Sequence, residues 1–359
     1  MLKIKVTIPN CPSGAVAKFL PKGGDMWHNC QFFVNQEVDN PDYWLVIDDL
    51  NSQKEITNID SNRVFFLSAE LPFVTSYFND QEYLSQFSKI YSPHAIYHHH
   101  NNITALPFLP FMINSVYGQS VFTDDRKYNY DKLLNNNGIK KTKTLSIIAS
   151  NKGSSQHNMT EFHKIRYHFA QRLKDHFKDK IDLFGYGYNE IKTKVEAIVP
   201  YKYHICLENQ ATENVITEKL YDSFLGLAYP IYWGAPNVHD YFAQDALTRI
   251  NIMDFKGSVR VIEQVLAEDL YEKNLDNLIR AKNDVLNKYG IFQRIAEICE
   301  HDAKNNISQD KTEVILLSRN SFIKKEHKKI KKIKKIAKYA IPSIIIYEII
   351  KQYFTNDIN

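Results

Sequence analysis

The stretch CLENQATENVITEKLYDSF, Cys206 to Phe224, sets a glutamate beside a lysine where a helix opens on Ile216-Thr217-Glu218-Lys219. A lysine in the first turn does nothing for the helix dipole, whose amino end already favours negative charge. The arrangement makes sense if a strongly anionic group binds at that end, because backbone N–H groups and an ammonium together suit a diphosphate. Glu218 can then accept hydrogen bonds from sugar hydroxyls. Ordinary exposed helix-surface pairing is the competing explanation of the same two residues. Arg166, next to Ile165 on a helix with a defined apolar face, would hold phosphate oxygens more rigidly than an amine. It would equally serve as a surface arginine laying its stem on Phe162 or Phe169. Glu70 follows RVFFLSA and precedes Leu71-Pro72, so it stands at a strand end, where a carboxylate facing a cleft is a natural general base. A solvated loop glutamate is the alternative.

These residues need a scaffold, and the chain supplies an alternation of strands and spacers. LKIKVTI, YWLVIDD, RVFFLSAE and KIYSPH predict strands, with an amphipathic segment at SYFNDQEYLSQF. After the polar loop LLNNNGIKKTK, TLSIIAS opens a second cycle, which puts a domain boundary near residue 140. NMTEFHKIRYHFAQRLKDHF predicts a helix, with Asn158 and Glu161 as a capping box and Phe162, Ile165, Phe169, Leu173 and Phe177 on one face. Then follow KIDLFGYG and KYHICLEN as strands, a helix from Ile216 to Leu225 capped at Gly226, and YPIYWGAPN and TRINI as strands. This order is that of a doubly wound α/β domain, in which ligands bind beyond the carboxyl ends of the strands. The Glu208-Asn209 loop, the Thr217-Glu218-Lys219 helix start and the Gly234-Ala235-Pro236-Asn237 loop all follow strands and are expected to line one crevice. Neither GxGxxG nor GxxxxGK[ST] occurs, which disfavours an ordinary dinucleotide enzyme or a P-loop ATPase.

With 359 residues, 44% of them hydrophobic, the chain can fill two cores. Cys11, Cys30, Cys206 and Cys299 form no CxxC pair, so neither a zinc site nor a disulfide framework is suggested and a reducing cytoplasm fits. The opening MLKIKVTIPN reads as a strand rather than a signal peptide. Asp48-Asp49 in VIDDL resembles the acidic metal motif of metal-dependent glycosyltransferases. His98-His99-His100, whose neighbours would point to opposite faces of a strand, are poorly arranged to share one ion. Both are expected to be loop or surface features.

YKYHICLENQATENVITEKLYDSFLGLAYPIYWGAPNV resembles the signature region of the α-1,3/1,4-fucosyltransferase family, in particular its bacterial members. SIIASN followed by HKIRYHFAQRL is similar to that family's first strand and arginine-bearing helix, and FFLSAELP to its acceptor-domain glutamate segment. The resemblance is strong from about Leu145 to Val238 and weak before it. It implies an α/β protein of GT-B type, two Rossmann-like domains facing a cleft. Residues 1–140 would form the acceptor-binding domain and 141–320 the domain that binds the GDP-sugar. The implied reaction moves L-fucose from GDP-fucose to a glycan hydroxyl with inversion, without an essential metal or other cofactor. Glu70 would be the general base, Arg166 and Lys219 the diphosphate ligands, and Asn209 and Glu218 further donor ligands. Val215 departs from the pattern, because many members carry tyrosine just before the Ile/Val-Thr-Glu-Lys run.

The formal net charge of +4 hides an asymmetry: nine lysines against one glutamate between Lys324 and Lys338 give a local +8, leaving −4 for the rest. Ile323, Ile330, Ile333, Ala337, Ala340 and Ile344 recur at three, four or seven residues, the pattern of a basic amphipathic helix. The following YAIPSIIIYEII is too short to span a bilayer. Residues 321–359 are therefore expected to bind an anionic membrane surface, placing the protein on the inner face of the cytoplasmic membrane near a lipid-linked glycan acceptor. Nucleic acid is not an expected partner, since no aromatic residues are interleaved with the lysines. Three functions are compatible with the sequence: a fucosyltransferase of surface polysaccharide or lipopolysaccharide synthesis, a same-fold transferase using another nucleotide sugar, or a non-catalytic sugar-nucleotide or membrane-binding protein.

Overall fold

A computed structural model describes residues 1–69, 81–93, 101–116, 128–149 and 161–322, with the side chains of residues 161 and 162 excepted. Glu70, the Asn158 cap, the histidines at 98–100, the first five residues of SYFNDQEYLSQF and the tail from residue 323 lie outside the described residues. The strands are β1 (Leu2–Thr7), β2 (Met26–Trp27), β3 (Cys30–Val34), β4 (Tyr43–Ile47), β5 (Lys54–Ile59), β6 (Val64–Leu67), β7 (Lys89–Ser92), β8 (Asn102–Thr104), β9 (Lys143–Ile148), β10 (Ile181–Phe184), β11 (Tyr201–Leu207), β12 (Tyr229–Trp233), β13 (Thr248–Arg249) and β14 (Thr312–Leu317). The helices are α1 (Gln81–Leu84), α2 (Tyr130–Asn135), α3 (Glu161–Phe177), α4 (Val195–Ile198), α5 (Glu218–Leu225), α6 (Phe255–Ala267), α7 (Leu270–Lys273), α8 (Leu275–Asn287) and α9 (Ile291–Asn305).

The first sheet runs β2-β3-β1-β4-β6-β7-β8, parallel except where β2 meets β3. All five residues of β4 and all four of β6 are buried, as a parallel sheet covered on both faces requires. Alternation along each strand divides them between two cores. Tyr43, Leu45, Ile47, Phe65 and Leu67 join the large one, whereas Trp44, Val46, Val64 and Phe66 join a smaller cluster with Tyr83, Leu84 and Phe87.

The second sheet runs β10-β9-β11-β12-β13 and is parallel throughout. Two Rossmann-like sheets in one chain are the expected GT-B-type architecture. α3 covers the second sheet with Phe169, Leu173 and Phe177, the face that the helical periodicity predicts. Gly226 is the C-cap of α5, but its φ of −81° is open to any residue. Packing demands the glycine, because a Cβ there would stand 2.5 Å from Ile198 Cγ2; Leu227 takes the left-handed conformation instead.

Several elements escape the sequence reading: β3, β5, β8, β14 and the helices α6, α8 and α9. β14 pairs antiparallel with β5, Thr312 opposite Ile59 and Leu317 opposite Lys54. Nothing local announces a pairing across such a separation. Although α9 and β14 lie in the 141–320 stretch, both pack against the first sheet. Arg294 of α9 donates to the carbonyls of Leu106 (2.7 Å) and Pro107 (2.8 Å) and stacks 3.8 Å from the Phe108 ring centre. Tyr43 Oη donates to Asp302 Oδ2 at 2.9 Å, and Lys89 pairs with the same carboxylate. These buried polar contacts are paired on every side, which keeps their desolvation affordable.

Candidate functional site

The strand order of the second sheet puts the chain's change of direction between β9 and β11, the switch point at which doubly wound sheets open a crevice. α3 leaves β9 on one side of that crevice. β11 ends on the other, where Glu208 and Asn209 follow it, and α5 begins nine residues after Asn209. Arg166 of α3 reaches across and donates from its guanidinium to Asn209 Oδ1. Its Nε has no hydrogen-bond partner among the described residues, so the fork keeps donor capacity. Burial pulls the Arg166 pKa down, opposed by the Glu208 carboxylate, but a guanidinium stays charged.

Thr217 caps α5 with extended backbone, its hydroxyl accepting the Lys219 N–H at 3.4 Å. Behind the cap lies Glu208, fully buried. Its carboxylate accepts the Thr217 N–H at 2.8 Å and the Thr217 hydroxyl at 2.6 Å. Gly234 makes room for it, since a Cβ there would lie 2.5 Å from Glu208 Cγ and 2.1 Å from Tyr232 Oη. Lys219 Nζ stands 3.1 Å from Thr217 Oγ1, 3.2 Å from Glu218 Oε1 and 3.6 Å from Glu208 Oε2. Glu218 and Lys219 side chains are only 14% and 24% exposed, which rules out ordinary surface pairing.

Lys194, from the turn before α4, completes the network. It lies 3.5 Å from Glu218 Oε1 and donates to the buried Asp222 Oδ2 at 2.7 Å, while Asp222 Oδ1 accepts the Met112 N–H at 2.8 Å. Burial alone would raise the Glu218 carboxyl, but Lys219 and Lys194 outweigh it and hold the group at about 2. Glu208 and Asp222 are raised by burial, partly offset by Lys219 and Lys194 respectively. Burial lowers the His163 pKa, and the neighbouring Arg166 and Lys219 charges lower it further.

A second clamp fixes the loop between β11 and α5. Asn214, with φ of 62°, receives a hydrogen bond from Asn237 Nδ2 (2.9 Å) and another from the Tyr241 hydroxyl (2.6 Å), and its N–H donates to Asn237 Oδ1 (2.9 Å). Asparagine tolerates this left-handed backbone better than most residues. Val215 beside it is fully buried.

The structure thus brings Arg166, Asn209, Glu218 and Lys219 together, and Glu70 lies outside the described residues. The sequence shows Glu208 only as part of a loop and gives no signal for Lys194, Asp222 or the Asn214–Asn237 clamp. Asp48 and Asp49 serve backbone groups. Asp48 Oδ1 accepts the Ala69 N–H (2.9 Å), and Asp49 Oδ1 accepts the N–H groups of Leu50 (2.8 Å) and Arg319 (3.1 Å). All four cysteines are buried and free. Among the described residues no helix is long and apolar enough to cross a membrane.

Comparison with known proteins bears on the same region. Residues 139–280 match the family described as Glycosyltransferase family 10 (fucosyltransferase) C-term. The α-(1,3)-fucosyltransferase FucT of Helicobacter pylori is 35% identical over 79 residues, which are 22% of this chain and only 16% of that protein's length. A crystal structure of an α1,3-fucosyltransferase with GDP has a TM-score of 0.43 at 17% identity, covering 81% of this chain and 92% of that one. A crystal structure of a glycosyltransferase from Rickettsia africae has a TM-score of 0.45 at 10% identity, covering 85% of this chain and 99% of that one. Residues 139–280, the segment that builds the crevice, are thus similar to the family described as Glycosyltransferase family 10 (fucosyltransferase) C-term, and the chain spans about one sixth of the length of the curated relative it matches.

Proposed function

We propose that this protein is an inverting glycosyltransferase that moves L-fucose from GDP-fucose to a glycan hydroxyl, in the synthesis of a surface polysaccharide or lipopolysaccharide. The observation that carries the proposal is the meeting of Arg166, Asn209, Glu218 and Lys219 at the switch point of a segment that matches a fucosyltransferase family model. Arg166 and Lys219 neutralise the diphosphate as it departs, and Glu218 and Asn209 orient the donor. Glu70 takes the proton of the acceptor hydroxyl while its oxygen bonds to the sugar's anomeric carbon and the bond to GDP breaks. No metal ion is needed in this scheme, because the two cations and the amino end of α5 supply the positive charge.

The test is a donor panel of GDP-, UDP- and dTDP-sugars with a glycan acceptor, each run with and without EDTA. Turnover is expected with GDP-fucose and is expected to survive the chelator. Turnover restricted to another donor would point to a same-fold transferase with different specificity, in keeping with the departure at Val215, which is buried, from the tyrosine of the family pattern. Binding without turnover of any donor would point to a sugar-nucleotide-binding protein. Inactivation by EDTA, reversed by manganese, would return attention to Asp48 and Asp49.

The same proposal assigns residues 321–359 to an anionic membrane surface at the cytoplasmic face. Nine lysines at about 1 kcal/mol each near anionic lipid would hold the protein at the membrane at physiological salt. Deleting residues 323–359 is expected to leave transfer to a soluble acceptor intact and to abolish co-sedimentation with anionic vesicles. A truncated protein that still pellets, or a full-length one that ignores such vesicles at low salt, would remove the membrane role.

A further inference from the structure

We infer that Glu208 is a positioning residue: its buried carboxylate holds the Lys219 ammonium at the start of α5 and thereby sets how tightly the site grips a diphosphate. The inference rests on the donor-binding role proposed above and concerns a residue to which that role gives no part.

Three observations support it. Glu208 cannot move, because Thr217 donates twice to its carboxylate, its own N–H bonds to the Trp233 carbonyl at 2.9 Å, and the bare α-carbon of Gly234 fits against its Cγ. Lys219 is less confined: its side chain is 24% exposed, its Nζ donates to Thr217 Oγ1 (3.1 Å) and Glu218 Oε1 (3.2 Å), and it meets Glu208 Oε2 only at 3.6 Å, as an ion pair longer than a hydrogen bond. The local charges also cancel, with Glu208, Glu218 and Asp222 set against Arg166, Lys194 and Lys219. A diphosphate competes with these carboxylates for Lys219, so each buried negative charge behind the ammonium loosens the grip on the phosphate.

Glutamine at position 208 removes the charge and keeps the shape. Its carbonyl can accept the Thr217 N–H, and its amide can donate to Thr217 Oγ1. The local sum then becomes +1. For Glu208→Gln the GDP dissociation constant, measured by calorimetry at low salt on the full chain, is expected to fall by about tenfold, as one unit charge at this range and an intermediate dielectric predicts. In a Lys219→Ala background the same substitution should lose most of that effect, since the two residues form one coupled pair. A buried carboxylate that served only to hold the fold would give weaker binding on removal.

A ligand-free measurement separates this inference from the donor assignment. Acetic anhydride labelling followed by mass spectrometry should acylate Lys219 several-fold faster in Glu208→Gln than in the wild type, with Lys256 of α6 unchanged as the internal standard. Should Glu208→Gln not fold, Glu208→Asp retracts the carboxylate by one methylene and is expected to speed Lys219 labelling in the same sense. Weaker or unchanged GDP binding in a folded variant, an equal effect in the Lys219→Ala background, or an unchanged labelling rate would each overturn the inference. A wild type that binds no GDP would sink the donor assignment, and Lys219 labelling would still decide the role of Glu208.

Discussion

Glu70→Gln is expected to lower turnover on the order of 10²-fold or more while leaving GDP affinity unchanged, because the amide keeps the size of the side chain and cannot take the acceptor proton. The chain leading to it is firmly held. β6 is buried throughout, the Ser68 N–H bonds to the Tyr91 carbonyl at 2.9 Å, and the Ala69 N–H bonds to Asp48 Oδ1. The described chain thus ends at the carboxyl end of a parallel sheet, the edge at which such folds place their reactive groups, and Glu70 itself lies outside the described residues. The check is steady-state transfer at saturating donor together with GDP calorimetry. Turnover within a few-fold of wild type would take Glu70 out of the mechanism.

Lys219→Ala has a different signature. GDP and the GDP-sugar should weaken together, by on the order of 10- to 100-fold, since a charge-assisted contact to phosphate is lost whichever sugar is attached. The fold should tolerate the change. Glu208 keeps both hydrogen bonds from Thr217 and the amino end of α5, and Glu218 keeps Lys194. Calorimetry of GDP, with thermal unfolding as the control for folding, separates the two effects. Unchanged GDP affinity would mean that Lys219 only balances Glu208 and Glu218 and never meets the ligand.

The crevice beside the second sheet was legible because its residues lie on elements with strong local patterns. β9, β11 and β12 are short apolar runs, and α3 shows its buried stripe every three to four residues. From these periods Asn209 could be placed after a strand, Glu218 and Lys219 at a helix start and Arg166 inside a helix at the edge of its apolar face, with the family resemblance implying their roles. The choice between a surface ion pair and a ligand site at Glu218-Lys219 could not be made that way. It turned on burial and on Glu208 ten residues before Glu218, and neither is a property of the local sequence.

By itself, then, the sequence determined two α/β sheets, the strands and helices that flank the crevice, and the residue types able to meet a diphosphate. Side-chain period and turn chemistry are dictated by the backbone a few residues at a time. Tertiary structure alone decided what depends on distant chain segments meeting. It paired β14 with β5, carried α9 back to the first sheet through Arg294 and Asp302, and set Lys194 between Glu218 and Asp222. It also buried Glu208 behind Lys219. A buried charge is tolerable only where an opposite charge and hydrogen-bond donors converge on it, and that convergence is fixed by packing rather than by the order of residues along the chain.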